Sequence, residues 1–295
     1  VPSFTFIATS NAPIFVGAKP VFSDVEEETL GLNPEDVKER VSNKTKAILP
    51  IHYGGLPCKI RELREIADDY NLILIEDAAE SFGAKIGSQK TGTFGDSAIL
   101  SFAQNKIITT GEGGAILTNS KEIYEKSKLI RSHGRAESSR DFSIEVTDHV
   151  TLGYNIRMSN IVAALGISQL EKADKLIEMR RKNAEYYTKR LRQEVKEVIT
   201  PCSPKDYYHV YQMYTIRTTK RDNLMRSLAD KGIMTKVYFH SVHLNHFYKN
   251  VLRYKCKLPV TEEISKQVLT LPMWSTLTNE EIDYIVGNIK NFKEG

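Results

Sequence analysis

Apolar residues fall along this chain in short runs, separated by stretches with helical spacing. Leu72-Ile73-Leu74-Ile75 is a continuous apolar run of strand length that ends on two carboxylates, Glu76 and Asp77. Residues 97–102 and 115–118 are runs of the same kind, and residues 45–52 and 18–25 read as shorter strands. Ahead of the 72–75 run, Ile60, Leu63, Ile66, Ala67 and Tyr70 recur at the three-to-four spacing of an amphipathic helix. Asn33-Pro34-Glu35-Asp36 opens another helix, with Asn33 as N-cap and Pro34 in the first helical position. Strands alternating with helices predict parallel βαβ units. Helix is expected over 121–132 and again from Ser159, where Ile161, Ala164, Leu165, Ile167 and Leu170 form one apolar face. That region continues through the charged residues 171–193 as a connecting helix. Residues 201–204 read as a linker. Beyond it the pattern predicts a strand over 209–217, a helix over 220–232 stopped by Gly232, and a strand over 234–240. A last amphipathic helix opens at Thr278 and carries Ile282, Ile285 and Ile289. The fold class is therefore α/β: a large domain over residues 1–200 and a smaller α+β domain over 201–295.

Composition narrows the partners. With 295 residues and 41% hydrophobic content, the chain has material for a large core and a second, smaller one. A net charge of +4, from 41 basic and 37 acidic residues spread along the chain, predicts neither a nucleic-acid nor a membrane partner. Cys58, Cys202 and Cys256 are odd in number, far apart and in no metal-binding spacing, so reduced thiols are expected. No run approaches the ~20 apolar residues of a membrane span, and no secretory signal is visible, which makes the cytoplasm the default compartment. His240, His243 and His246 would share one face of a helix, but the segment begins as a strand and no carboxylate or cysteine supports a metal site there. The chain opens on Val1-Pro2, without an initiator Met and on residues that resemble the end of a strand. An upstream segment is therefore expected to be missing.

The candidate chemistry lies at the ends of two of the apolar runs. Sheets of parallel strands bind ligands beyond the carboxyl ends of their strands. Asp77 ends one run, and Lys106 follows another. A lysine and a carboxylate in those places suit pyridoxal 5'-phosphate: the lysine forms the Schiff base, and the acid keeps the pyridinium nitrogen protonated so that the ring accepts electrons. Gly111-Glu112-Gly113-Gly114, just beyond Lys106, is not a dinucleotide fingerprint and reads as a tight turn beside the cofactor.

The blocks over residues 75–84 (IEDAAESFGA) and 101–114 (SFAQNKIITTGEGG) resemble the sugar-nucleotide aminotransferases of the DegT/DnrJ/EryC1/StrS family. Only the two blocks together are specific, and the resemblance extends over nearly the whole chain. It implies a type I aminotransferase-like fold with a mostly parallel sheet and flanking helices. It also implies Lys106 as the Schiff-base lysine and general acid/base, in a family whose dehydratase relatives carry histidine instead. Asp77 then partners the ring nitrogen, Glu80 contacts the cofactor's phenolic oxygen or lines the substrate pocket, and Ser101 binds the cofactor phosphate. Phe6 matches an aromatic residue that stacks on the cofactor ring. Asn155, in Gly153-Tyr154-Asn155-Ile156-Arg157-Met158, matches an asparagine that reaches the neighbouring subunit's cofactor phosphate, which implies a homodimer with shared active sites. His240 and Arg157 are expected toward the sugar-nucleotide pocket. The residues alone leave other readings open: Phe6 as core, Glu80 as a surface helix carboxylate, Ser101 bonded only to backbone, and Asn155 as a turn residue.

The reaction so implied moves an amino group from an amino acid, glutamate in most relatives, to the ketone of a nucleotide-linked deoxy-keto-sugar. The family's upstream strand and phosphate-binding helix start find no counterpart here. Two other functions therefore stay in view: a non-catalytic binding or structural protein on the same fold, and a lysine-based transferase acting on amino acids.

Overall fold

The computed structural model describes residues 1–136 and 148–292. In chain order the first elements are α1 (Ile7–Phe15), α2 (Pro34–Arg40), β1 (Ala47–Ile48), α3 (Ile60–Asp69) and β2 (Ile73–Asp77). The short strands β3 (Lys85–Ile86) and β4 (Gln89–Lys90) precede β5 (Ser97–Ser101), β6 (Gly114–Thr118) and α4 (Lys121–Arg131). Then come α5 (Asn160–Leu170), α6 (Ala173–Glu194), β7 (Tyr207–Tyr208), β8 (Tyr214–Arg217), α7 (Arg221–Asp230), α8 (Pro259–Gln267), β9 (Val268–Leu271) and α9 (Asn279–Lys290).

The central sheet has the order β1-β2-β5-β6. Its first three strands are parallel, as the alternation of strands and helices predicts, and β2 lies beside β5 with Asp77 opposite Ile99. β6 runs antiparallel to β5, because only the glycine-rich turn separates them and no crossover helix intervenes. The helix start at Asn33 forms as read: its side chain accepts from the Glu35 N–H, and Pro34 stands in the first turn. Thr278 and Glu281 form a reciprocal capping box at α9.

Several expected elements are shorter or absent. Residues 18–25 make only isolated bridges, Pro2 with Ser23 and Val25 with Leu32. Pro20 lacks an N–H, and the Asp24 carboxylate is taken up by the Val260 and Thr261 N–H groups at the start of α8. In 45–52 only β1 joins the ladder, since Pro50 interrupts it before Ile51 bridges to Asp77. The strand expected over 209–217 begins only at Tyr214. Residues 210–213 instead turn sideways and bond Gly54 and Gly55. Of 234–240, Lys236 alone bridges, to Thr270. The single long helix from Ser159 breaks at Glu171-Lys172 into α5 and α6. Most of the polar loop expected over 133–148 lies outside the described residues.

Two apolar groups dominate the interior. Ile60, Leu63, Leu72 and Leu74 pack α3 onto β1 and β2. Tyr187 and Leu191 of α6, Tyr214 of β8, Leu224 of α7 and Ile285 of α9 form the other, with the Tyr187 and Tyr214 rings stacked at 4.8 Å. α6 owes its place to buried Ala173, Ile177, Arg180, Ala184, Tyr187 and Leu191 at helical spacing. The apolar face of α5 is not buried: Ile161 is 85% exposed and Ile167 61%. Among the described residues, no helix is long and apolar enough to cross a membrane.

Candidate active site

Successive side chains of a strand point to opposite faces, so Glu76 and Asp77 at the end of β2 cannot share one environment. Glu76 is wholly buried. His52 Nε2 lies 2.9 Å from Glu76 Oε2, and the N–H groups of Gly92, Phe94 and Gly95 each donate to the carboxylate at 2.7 Å. The Cys58 N–H donates to His52 Nδ1, which leaves Nε2 as the nitrogen that carries a proton toward Glu76. Burial pushes the Glu76 carboxyl up, but the His52 contact and the Gly92 and Gly95 N–H bonds outweigh it and hold it below its usual range. This pair braces the strand end from behind.

Asp77 faces the other way. Its Oδ2 accepts from the Thr9 hydroxyl at 2.6 Å, and its Oδ1 from the Ala79 N–H at 3.1 Å. Thr9, on the first helix, is one residue that sequence reasoning missed. It lies 68 positions away, and its spacing carries no signal for the contact.

Glu80 is buried and meets the lysine. Lys106 Nζ stands 3.9 Å from Glu80 Oε1, with the lysine side chain 14% exposed. The Gly54 N–H donates to Glu80 Oε2 at 2.9 Å. Burial raises the Glu80 carboxyl above its usual range; Lys106 and the Gly54 N–H pull it down without cancelling the rise, and Asp77 adds to it. The alternative of an ordinary surface carboxylate, left open by the residues alone, does not hold for Glu80. Gly55 has φ +96°, and a Cβ there would meet Val210 Cγ2 at 2.7 Å and the Gln212 nitrogen at 2.9 Å, so this turn needs glycine. Gly111, with φ +79°, turns the chain beyond Lys106.

The other candidate residues spread more widely. Phe6 is 60% exposed, with its ring 6.3 Å from that of Phe239, so it is not a core residue. Ser101 is half-buried at the end of β5, where its Oγ accepts from the Ala103 N–H. Asn155 is exposed and bridges to Ser132, whose Oγ accepts from Arg157 Nη1 at 3.0 Å. His240 is exposed. His243, by contrast, is buried between Ser3 and Glu262. The structure thus brings together Asp77, Glu80 and Lys106, whereas Asn155 and Arg157 sit on a separate exposed stretch.

A chain in which a sheet of mostly parallel strands presents a buried acid and a half-buried lysine at neighbouring strand ends has the architecture of the type I aminotransferases. Residues 1–290 match the DegT/DnrJ/EryC1/StrS aminotransferase family. The chain is 38% identical over 295 residues to GDP-perosamine synthase of Escherichia coli O157:H7, an alignment covering 99% of this chain and 78% of that protein. Helicobacter pylori PseC, an aminotransferase involved in the biosynthesis of pseudoaminic acid, superposes with a TM-score of 0.92 at 25% identity, over 98% of this chain and 77% of that one. DesV of S. venezuelae, solved in complex with a ketimine intermediate, gives 0.90 at 31% identity, over 98% and 76%. The chain belongs to the DegT/DnrJ/EryC1/StrS aminotransferase family, whose enzymes depend on pyridoxal phosphate.

The residues present fit that cofactor. A buried carboxylate held by two donors, a lysine amine beside a second buried acid, and an exposed phenylalanine ring are the groups a flat, cationic pyridine ring calls for.

Proposed function

We propose that this chain transfers an amino group from an amino acid, glutamate, to the keto group of a nucleotide-linked deoxy-keto-sugar, in the synthesis of a cell-surface or secondary-metabolite sugar. The observation that carries the reading is the pairing of Lys106 with Glu80 at 3.9 Å, beside the braced end of β2. Pyridoxal phosphate, when bound, supplies the electron sink. Lys106 anchors it and moves the proton at the donor and acceptor carbons. Asp77, held by Thr9 and the Ala79 N–H, keeps a proton at the ring nitrogen. Phe6 offers an aromatic face, and Ser101 a hydroxyl for the phosphate. Glu80 sets the charge beside the amine, and His240 and Arg157 face the sugar nucleotide. The relatives named as a GDP-perosamine synthase and as an enzyme of pseudoaminic acid synthesis support the substrate class.

The homodimer belongs to the same proposal. Leu152, Tyr154, Ile156, Ile161 and Ile167 are exposed along the stretch that carries Asn155 and Arg157, and a second copy of this chain is the partner that completes the site there. The three free cysteines support a cytoplasmic location.

The test is the absorbance of the purified chain with pyridoxal phosphate, followed by borohydride reduction and peptide mapping. An adduct on Lys106 that is lost in Lys106→Ala, together with 2-oxoglutarate formed from glutamate and amination of a keto-sugar nucleotide, supports the reading. An adduct elsewhere, or none, sinks it. Sedimentation of the wild-type chain as a monomer at micromolar concentration refutes the dimer.

A further inference from the structure

Lys106 sits in a turn between β5 and β6, and a turn alone does not fix a reactive amine to within a few tenths of an ångström. What holds this one is far away in sequence. Gln212 is buried, and its side-chain amide grips the backbone on both sides of Lys106: Nε2 donates to the Asn105 carbonyl at 2.7 Å, and the Ile107 N–H donates to Oε1 at 3.0 Å. The Lys106 N–H itself bonds the Ala103 carbonyl. One planar amide therefore does for this turn what a neighbouring strand does for a ladder, and satisfies both peptide groups that flank the lysine.

Gln212 is in turn fixed from three sides. Arg180 of α6 donates through Nη1 to the carbonyls of Tyr211, Gln212 and Met273. The Val210 N–H bonds the Gly55 carbonyl, and the Met213 N–H bonds the Gly54 carbonyl. The same Gly54 gives its N–H to Glu80. Residues 210–213 thus fix both members of the Lys106–Glu80 pair, one through the Gln212 side chain and the other through the Gly54 peptide. We infer that Gln212 is a positioning residue for the reaction, holding the backbone of Lys106 so that its amine stays opposite Glu80. The inference rests on the reading of Lys106 as the reactive amine.

Gln212→Leu keeps the bulk and removes both hydrogen bonds. Gln212→Glu supplies the acceptor but, when ionised, no donor. Protonated, it presents the same donor and acceptor as the amide. Circular dichroism and a urea midpoint first establish that each variant is folded. Without cofactor, hydrogen exchange over the peptide spanning 103–110 is expected to quicken by roughly tenfold at Ile107 in the Leu variant. With pyridoxal phosphate bound, the pH midpoint of the lysine adduct's absorbance is expected to move by about half a unit or more. kcat falls about tenfold while KM for the keto-sugar stays within about twofold. At about pH 8 the Glu variant still accepts from the Ile107 N–H, so exchange there stays near wild type, but it leaves the Asn105 carbonyl without a donor and lowers kcat; kcat returns toward wild type as the pH falls and its carboxyl protonates. A folded Leu variant with wild-type exchange, wild-type spectral midpoint and wild-type kcat overturns the inference and leaves the functional reading standing. A wild-type chain that forms no adduct on Lys106 overturns both.

Discussion

Replacing Glu76 by Gln tests how firmly the end of β2 is held. The side chains have the same shape, but the carboxylate accepts from four donors, two on each oxygen: Phe94 and Gly95 on Oε1, His52 and Gly92 on Oε2. An amide offers one oxygen. Whichever way it is turned, its NH₂ faces two donors, so two buried N–H groups lose their acceptor. Changing the His52 tautomer moves the loss to the Cys58 N–H without removing it. At about 1–3 kcal/mol for each unsatisfied donor, the substitution is expected to cost about 2–6 kcal/mol, a large share of a total stability of about 5–15 kcal/mol. Urea unfolding followed by far-ultraviolet circular dichroism measures this directly. The pH dependence adds a second reading. The folded-state pKa of Glu76 lies below its unfolded value near 4.5, so the folded state binds fewer protons. Its contribution is complete above pH 4.5 and is lost as the pH falls through the folded value. The gap between wild type and Glu76→Gln should therefore be widest near neutrality and close in acid. A midpoint unchanged at neutral pH, or a gap that persists in strong acid, refutes the reasoning.

Three further outcomes follow from the same geometry. Thr9→Val removes a hydroxyl bonded to a buried carboxylate and is expected to cost about 1.5–3 kcal/mol in the same urea assay, with Thr9→Ser retaining most of the stability. Glu80→Gln keeps an acceptor for Gly54 and removes a carboxyl whose folded pKa is raised. Because the folded state then binds more protons than the unfolded one, the variant should match wild type in acid and gain on it as the pH rises above 4.5; a constant difference across pH contradicts the raised value. Gly55→Ala places a Cβ at 2.7 Å from Val210 and 2.9 Å from the Gln212 nitrogen at φ +96°, and should lower stability by about 1–3 kcal/mol and disturb the Lys106 adduct's absorbance; a thermal melt and a spectrum check both.

Local chemistry accounts for what could be read from the sequence. Leu72-Ile73-Leu74-Ile75 and residues 97–102 are apolar enough to be strands in any setting, and the Asn33-Pro34 and Thr278–Glu281 starts satisfy their own helix ends. Asp77 and Lys106 stood out as candidates because each follows such a strand, whereas Glu80 was singled out through the family resemblance. The residues that hold them were not. Thr9, Gln212 and His52 act through contacts 24 to 107 positions away, and nothing in their neighbours' spacing reports a distant partner. The expected strands at 18–25, 209–217 and 234–240 came out shorter in the same direction: only 214–217 forms a strand, while Pro20 and the lateral bonds of residues 210–213 take the backbone elsewhere. The face of α5 was read correctly as apolar, yet sequence pattern alone could not tell that this chain leaves it exposed.

The grip of Gln212 on the lysine turn also bears on the order in which the protein becomes competent. Asn105 and Gln212 are 107 positions apart, with residues 201–204 between them. During synthesis the lysine leaves the ribosome well before the amide that steadies its backbone, and before Met213 can bind the turn that serves Glu80. Until that segment arrives, the peptide groups on either side of Lys106 lack the amide that bonds them in the folded chain. A chain cut at 201–204 would separate Lys106 from Gln212, and the longer piece alone would lack the amide that bonds the Asn105 carbonyl and the Ile107 N–H.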